Sequence, residues 1–317
     1  MSRTTPLTLR LTLLLTGAVS ANTHAGIMTE WAEKFAASDI VFSRSDSNVP
    51  FLPLAFASAR HYQDSDVTLD DGRTLSFSQQ AISQGAVVPF LMSNRDALLL
   101  GEWISWSKLS PESEHYNDLQ VLSVGLPVGW LHQRSKDWQT GGFLMPLGHK
   151  ADSNDAQWSW ELMGGGFARY TQTDKLWWAY GLYFDVSDHS SLVLPYLGAS
   201  YQFNERWTLS AIMPWPAVMY APSDDWLFRF GLAPAGNSWQ LNTDGDQFNY
   251  VMDNWDLGLS VEKRVHRHFW LELEAGVGGL KGLSVDVNSG DWEAPDFAMS
   301  SSGYINIGFN FRPSLGN

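Results

Sequence analysis

The sequence contains no cysteine and few positive charges, and both absences narrow the class of protein. Without cysteine there can be no disulfide, no thiolate metal site and no cysteine nucleophile. The chain has 20 Lys and Arg against 34 Asp and Glu, which gives a net charge of −14. Such a chain repels the phosphate backbone of nucleic acids, and no cluster of Lys and Arg offsets the repulsion. Nucleic acid is therefore excluded as a partner.

Long apolar runs are also missing, apart from a short one near the N-terminus. No segment has the roughly 18 consecutive apolar residues that a transmembrane helix needs. The run Leu11–Val19 follows Arg3 and Arg10 and precedes small residues, which is the pattern of a cleaved signal peptide ending at Ala21 or Ala25. We therefore expect residues 1–25 to be a signal peptide. Residues 26–50 should follow as a periplasmic segment.

Helical periodicity is as scarce as long apolar runs. Only Met28–Ala37 has the spacing of a short amphipathic helix. This helix falls within the expected periplasmic segment. The rest of the chain is therefore expected to form β-strands and their connections.

Aromatic residues are abundant instead, with 16 Trp, 17 Phe and 10 Tyr. In Lys175–Ser187 they follow period 2, because every second residue is large and apolar while the residues between are mostly small or polar. An acidic protein that turns Trp and Phe outward needs lipid as its solvent. We expect these side chains to face lipid: Leu176, Trp178, Leu182, Phe184, Leu271 and Phe309.

The same alternation recurs from about residue 51 to the end, in segments of about ten residues that suit a tilted crossing of a bilayer. Long acidic connections alternate with short turns such as Ser93–Arg95, Asn204–Arg206, Pro234–Asn237 and His266–His268. The long connections are expected near 63–75, 108–118, 149–156, 187–190, 221–225, 243–253 and 283–299. This wiring predicts an all-β, antiparallel up-and-down transmembrane barrel over residues 51–313, of about 14 strands with 12 possible, its short turns in the periplasm.

A soluble periplasmic β-sandwich or lipocalin-like protein is the alternative, with the aromatic residues inside. The opposite faces of the strands argue against it, because they carry charges that a small soluble core does not tolerate. In a barrel these charges line the lumen. The expected lumen-facing set is Glu161, Arg169, Arg229, Asp256, Glu262, Arg264, Glu272, Glu274 and Arg312.

The block Pro195–Leu241 contains a P-x-x-G-x-x-Y strand, a short turn and a W-x-L-x-x-x-x-P strand. With this pattern it resembles an uncharacterised family, a domain of unknown function, of outer-membrane β-barrels in Gram-negative bacteria. The matching residues are Pro195, Gly198, Tyr201, Trp207, Leu209 and Pro214. The resemblance implies the fold and the outer-membrane location, and it implies no chemistry.

Four short motifs contain residues that could do chemistry, and each is more typical of a polar turn or loop. Asp188–Ser191 places an acid, a histidine and two serines together, but triads assemble from distant residues. His266–His268 is a weak metal pair. Thr243–Asp246 and Asp286–Glu293 lack the spacing of a calcium loop. We therefore expect no catalytic residue, metal or cofactor.

Three functions remain open at this point. A passive channel or small-solute transport barrel follows from the charged lumen, a structural or plugged barrel needs no pore, and an outer-membrane hydrolase would depend on Asp188, His189 and Ser190. The expected partners are outer-membrane lipid, lipopolysaccharide and the barrel-assembly machinery, which would read the C-terminal strand "YINIGFNFRP". The oligomeric state stays open.

Overall fold

The computed structural model describes residues 34, 37–41, 47–68, 74–112, 117–153, 156–187, 191–243, 246–287 and 297–313. In this part of the chain no helix is long and apolar enough to cross a membrane. The strands are β1 Ala55–Thr68, β2 Thr74–Leu91, β3 Asp96–Pro111, β4 Leu119–Gly125, β5 Val128–Gln133, β6 Trp138–Ala151, β7 Ser159–Thr173, β8 Leu176–Ser187, β9 Ser191–Gln202, β10 Trp207–Met213, β11 Ala217–Ser223, β12 Trp226–Thr243, β13 Asp246–His266, β14 Phe269–Val287, β15 Phe297–Met299 and β16 Ser302–Phe311. The helix expected at Met28–Ala37 and the signal peptide lie almost entirely outside the described residues.

The strands form one closed antiparallel sheet. The first and last strands pair with each other, with Ala55 opposite Phe311 and Tyr62 opposite Tyr304. β4 and β5 both pair with β3 and β6, so they are two halves of one barrel strand. β15 and β16 are likewise two halves of one strand between β14 and β1. The described residues therefore build a closed barrel of fourteen strands, which confirms the predicted fold and strand number.

Three predicted connections were wrong, although the strand count was right. Pro234–Asn237 is not a turn but lies inside β12, where all four residues pair with β13. The missing turn is at 214–216, between β10 and β11, and 221–225 contains a short turn where a long loop was expected. The expected long connection at 243–253 was also wrong, since β13 begins at Asp246.

The pairing of β12 explains why Pro234 is tolerated there. β11 pairs with β12 only as far as Gly231, and the N–H of Leu232 then donates to Pro216 O at 3.0 Å. Beyond that point no described strand pairs with β12 on this side, so the missing N–H of Pro234 breaks no ladder bond. Pro214 and Pro216 cannot donate either, and they stop β10 at the turn.

Burial alternates along the strands, as expected for a barrel with distinct inner and outer faces. On β16, Tyr304 and Asn306 are buried, whereas Ile305, Ile307 and Phe309 are 55%, 52% and 55% exposed. A closed sheet satisfies its backbone groups without an open edge, and an outer face of large apolar side chains suits hydrocarbon. The protein is therefore a β-barrel of the outer-membrane type.

The two ends of the barrel differ in their connections. One end carries the short turns at 92–95, 134–137, 174–175, 203–206, 224–225 and 267–268, and we call it the turn end. The other is the loop end. β1 begins and β16 finishes at the turn end, so the chain enters and leaves the barrel on the same side.

Residues 37–41 and 47–53, which we call the N-terminal strap, lie against the turn end. Ile40 is 6% exposed and packs against Ala97 and Leu131 of β3 and β5. Val49 packs against Leu227 and Trp270 of β12 and β14. The two anchors therefore contact opposite walls of the barrel, according to the order of the strands.

Hydrogen bonds hold the N-terminal strap to several turns. Asp39 N donates to Asn94 O at 2.9 Å, and Asn48 N donates to Glu205 O at 2.8 Å. Val41 O accepts from Gln139 Nε2 at 3.2 Å and from Arg169 Nη2 at 2.5 Å. The strap is thus bonded to three separate parts of the turn end.

An apolar cluster occupies the interior near the loop end. Met252 of β13 packs there with Val67 of β1 and, across the barrel, with Leu109, Val121 and Ala151 of β3, β4 and β6. β12 also contacts β6 and β7 across the sheet order. The long strands β12 and β13 thus lean over the mouth at the loop end.

Candidate functional site: the charged interior of the barrel

The main group of buried charges lies on one wall, formed by the neighbouring strands β13, β14, β16 and β1. The register explains their proximity, because Glu262 is paired with Glu272, and Asn306 is paired with both Glu274 and Arg60. Paired residues of adjacent strands point to the same face. The closure of the barrel therefore brings residues from the two ends of the sequence into one inward-facing set.

The first cluster of this wall surrounds Arg60. Its Nη1 lies 2.8 Å from Asp256 Oδ2, and its Nη2 lies 3.6 Å from Glu274 Oε1. Tyr62 donates to Asp256 Oδ2 at 2.5 Å, and Tyr304 donates to Glu274. Asp256 is 2% exposed. One guanidinium and two phenols thus hold a pair of carboxylates.

The second cluster lies closer to the turn end, around Arg312. Its Nε and Nη2 donate to the two oxygens of Glu262 at 2.9 and 2.7 Å, and its Nη1 donates to Phe51 O at 2.5 Å. Asn310 Nδ2 donates to Glu262 Oε2 at 2.9 Å and to Glu272 Oε2 at 2.7 Å. Arg312 therefore links the carboxylates of the wall to the N-terminal strap.

The charges of this wall do not balance. Four carboxylates face two guanidinium groups: Arg60 lies near Asp256 and Glu274, whereas Arg312 is ion-paired with Glu262 alone. Glu272 accepts only from the neutral amide of Asn310 among the bonds described above. The wall also contains a buried acceptor, since Asn306 is 4% exposed and its Oδ1 has no hydrogen-bond partner among the described residues. Both features make this side of the lumen attractive to positive charge.

The remaining charged residues expected in the lumen do not join this cluster. Glu161 lies on β7, with Oε2 3.4 Å from Nε2 of His149. Arg169 is held by Val41 O and lies over the ring of Trp177, 4.1 Å from its centroid.

Two of the expected lumen charges lie on the side of β12 and β13. Arg264 is ion-paired at 2.5 Å with Asp225 in a turn, so it lies at the turn end and not in the middle of the lumen. Arg229 is half-buried on β12, one residue from the exposed Phe230. The structure thus separates the nine expected charges into one wall cluster and several isolated groups.

The wall opposite the charged cluster is aromatic. Trp215, in the turn between β10 and β11, contacts Tyr183 with ring centroids 5.6 Å apart and Tyr196 with centroids 6.1 Å apart. Phe167 contacts Tyr196 with centroids 5.6 Å apart. Most of these rings are only half-buried, so they border open lumen. Carboxylates and aromatic faces therefore confront each other across the barrel.

The residues expected to face lipid lie on the outer, more exposed face of their strands. Leu182 and Phe309 are 58% and 55% exposed, and Trp178 and Leu271 are 37% and 39% exposed. Leu176 and Phe184 are half-buried on the same face of β8 as Trp178. β7 and β9 pair with β8 on its two sides, so residues paired with these positions lie on the same outer face.

A serine, a histidine and a glutamate meet on β4, β6 and β7, which the sequence did not predict. Ser123 Oγ lies 2.8 Å from His149 Nδ1, and His149 Nε2 lies 3.4 Å from Glu161 Oε2. Ser123 is fully buried, so a substrate has no access to its oxygen. Only the inward register of three strands that are far apart in sequence could have revealed this set.

Most of the short motifs considered for chemistry lie outside the residues that the structure describes. His189 and its neighbours at 188–190, and the acidic stretch Asp286–Glu293, lie largely outside the described residues, as do the side chains of Thr243–Asp246. His266–His268 forms the turn between β13 and β14, with Arg267 at a positive φ of 42°. Within the described residues, no group of three His, Asp or Glu side chains could hold a metal ion.

Comparison with known proteins gives distant structural similarity. The chain is similar to an outer membrane channel from Pseudomonas putida F1, with 10% identity, a TM-score of 0.46, and coverage of 85% of this chain and 99% of that one. It is similar to a Pseudomonas aeruginosa FadL homologue, with 12% identity, a TM-score of 0.44, and coverage of 90% and 98%. Among proteins with curated descriptions, none matches the sequence.

A model of one protein family matches most of this sequence. The match extends over residues 56–312, which takes in all the strands from β1 to β16 and both charged clusters. The N-terminal strap precedes the matched region. The chain therefore belongs to the family described as a domain of unknown function, DUF6268.

Proposed function

We propose that the protein is a passive channel for small solutes across the outer membrane and that it prefers cations. The observation that carries the proposal is the excess of four carboxylates over two guanidinium groups on one inner wall of a fourteen-stranded barrel. Eight strands are just filled by their own side chains, whereas 16 to 18 strands leave an aqueous channel. A fourteen-stranded barrel therefore has room for solute beyond the side chains of its wall.

The location and orientation belong to the same proposal. The signal peptide at 1–25 would direct export, and the short turns would face the periplasm, as is usual for barrels of the outer membrane. Lipid and lipopolysaccharide would then surround the outer face, and the barrel-assembly machinery would insert the chain. The N-terminal strap would lie on the periplasmic side.

The charges of the lumen support the preference for cations. Rings of acidic side chains favour cations in narrow pores, because each passing ion replaces part of its hydration by an attractive field. Asp256 and Glu262 are almost fully buried, while Glu272 and Glu274 are half-buried and border the lumen. Glu272 and Glu274 are therefore the residues whose charge should act most directly on a passing ion.

A plugged or structural barrel is the second candidate, and two observations favour it. The N-terminal strap is anchored at opposite walls of the turn end by Ile40 and Val49. The apolar cluster around Met252 fills the interior near the loop end. Under the channel proposal, solutes pass only when the strap or the cluster moves aside, so conduction should be intermittent.

Ion conductance in planar bilayers tests the proposal. The wild-type protein should give discrete steps and a reversal potential in a KCl gradient that shows cation preference. The double variant Glu272→Gln and Glu274→Gln should shift that potential towards zero. Asp118→Asn, in the connection between β3 and β4, removes an acidic charge outside the lumen and is the matched control.

Silent bilayers, both for the wild type and for variants of the strap, would favour the plugged barrel. Steps with anion preference would refute the selectivity while leaving the channel intact. The proposal includes no catalytic step. Hydrolysis of lipid esters that is lost on His189→Ala would add an enzymatic function and contradict this part of the proposal.

A further inference from the structure

The outer face of β3 carries a carboxylate in the middle of its apolar stretch. Ser105, Ser107 and Leu109 alternate as buried inner residues, which places Glu102 on the outer face with Leu100 and Ile104, 38% and 39% exposed. Leu98 and Trp106 continue this face on the two sides. Glu102 therefore lies at mid-height of the region that faces hydrocarbon.

A second polar side chain lies beside Glu102 on the same face. Gln84 of β2 is paired with Ile104 and with Ala57, and the next outward residue of β2, Ala86, is paired with Glu102 and with Ala55. Gln84 and Glu102 are thus diagonal neighbours on two adjacent strands. We call Ala57, Ala59, Gln84, Ala86 and Glu102 the outer patch.

The polar groups of the outer patch have no hydrogen-bond partner within the described part of the chain. Other outward charges are placed differently, since Lys108 and Lys263 lie near strand ends, where a long side chain reaches the headgroups. A carboxylate at mid-height has no such escape, and its burial in lipid is unfavourable. Something other than lipid should cover the patch.

The patch also allows close approach, because its other members present only methyl groups: Ala86 is paired with Glu102, and Ala57 and Ala59 lie on β1 on the other side of Gln84. Small side chains let backbones approach closely in a membrane, where polar groups then form hydrogen bonds between the partners. Glu102 can only accept when ionised, whereas the amide of Gln84 can donate. The outer patch therefore carries both halves of a hydrogen-bonded pair.

We propose that a second copy of this chain covers the outer patch, so that the protein is a two-fold symmetric dimer in the membrane. In a two-fold interface the same patch meets itself, and each residue contacts its counterpart reciprocally. Glu102 of one copy accepts a hydrogen bond from the Gln84 amide of the other, and the reverse bond completes the pair. The inference does not depend on conduction.

Cross-linking in intact membranes tests the dimer. The chain has no native cysteine, so only the introduced thiol can react. Ala86→Cys places a thiol within the patch, and a short bismaleimide should convert it to a species of twice the mass. Leu182→Cys, 58% exposed on β8 at the other side of the barrel, is the control and should stay monomeric. Equal yields from the two positions would overturn the proposal.

The polar pair is tested by adding Glu102→Leu and Gln84→Leu to the Ala86→Cys chain. Loss of both hydrogen bonds should lower the dimer yield by about tenfold, since each 1.4 kcal/mol corresponds to tenfold in the equilibrium. The monomeric barrel should assemble at least as well, because leucine suits lipid. An undiminished dimer would overturn the role of the pair. A barrel that no longer assembles would show that Glu102 acts within one copy, and would overturn it too.

Discussion

Arg312 holds Glu262 through two nitrogens, at 2.9 Å from Oε2 and 2.7 Å from Oε1, and both side chains are almost fully buried. Arg312→Leu should therefore leave the buried carboxylate of Glu262 without its cation. Removing one partner of a buried ion pair costs about 3–5 kcal/mol. We expect the variant to unfold at clearly lower urea concentration in detergent or lipid vesicles.

The double variant Arg312→Leu and Glu262→Leu is the control for this prediction. It removes both charges, and it should recover much of the lost stability because no unpaired group remains of the pair. If the single variant were as stable as the wild type, the buried pair would not contribute as described.

The two faces of a strand should respond differently to a new charge. Phe184→Arg puts a cation on the outer face of β8 and should cost about 2–4 kcal/mol or block assembly. Met163→Arg puts the same group on the inner face of β7, opposite Asp185, where it finds a carboxylate. Heat-modified migration on gels separates folded from unfolded barrels, and similar loss in both variants would mean that the faces are misassigned.

Loosening the N-terminal strap should increase conduction. Ile40→Ser and Val49→Ser remove the two apolar anchors, and the loss of each buried aliphatic group costs about 1–3 kcal/mol of strap binding. The combined variant should show more frequent or larger conductance steps in planar bilayers. Val41→Ser is the control, because this side chain is 39% exposed while its backbone makes the hydrogen bonds. Unchanged traces would show that the strap does not limit conduction.

Gly198 should be intolerant of any side chain. Its φ of +154° is rare for other residues, and a Cβ there would lie 1.9 Å from Ala211 O of the neighbouring strand β10. Gly198→Ala should therefore prevent or strongly slow assembly, as measured by the folded fraction on unheated gels. Gly166→Ala on β7 is the matched control, since a Cβ there meets nothing within 4 Å. Equal assembly of the two variants would contradict the expected clash.

The sequence was sufficient for the type of fold and the number of strands but not for every turn. Period-2 alternation is a local property, and it persists because each strand has a lipid-facing side and a lumen-facing side. Turn positions depend also on which neighbours are present. Pro234 looked like a turn residue, yet it is accommodated because β11 has already ended beside it.

The candidate site was predictable only in part for a similar reason. The inward placement of Asp256, Glu272 and Glu274 follows from alternation on their own strands. Their partners Arg60 and Tyr62 come from the other end of the chain, and only the pairing of β1 with β16 brings them close. Such long-range register leaves no local pattern in the sequence.

The pairing of β1 with β16 determines what a chain without β16 can form. β1 and β14 both start at the turn end and run in the same direction, with β16 between them in the opposite direction. A chain that stops before β16 cannot become a thirteen-strand barrel of the same antiparallel kind, and two strand edges are left bare. Bare edges pair with other chains. Ribosomal stalling or proteolysis just ahead of Ser302 should therefore yield aggregating sheets and not slightly narrower barrels.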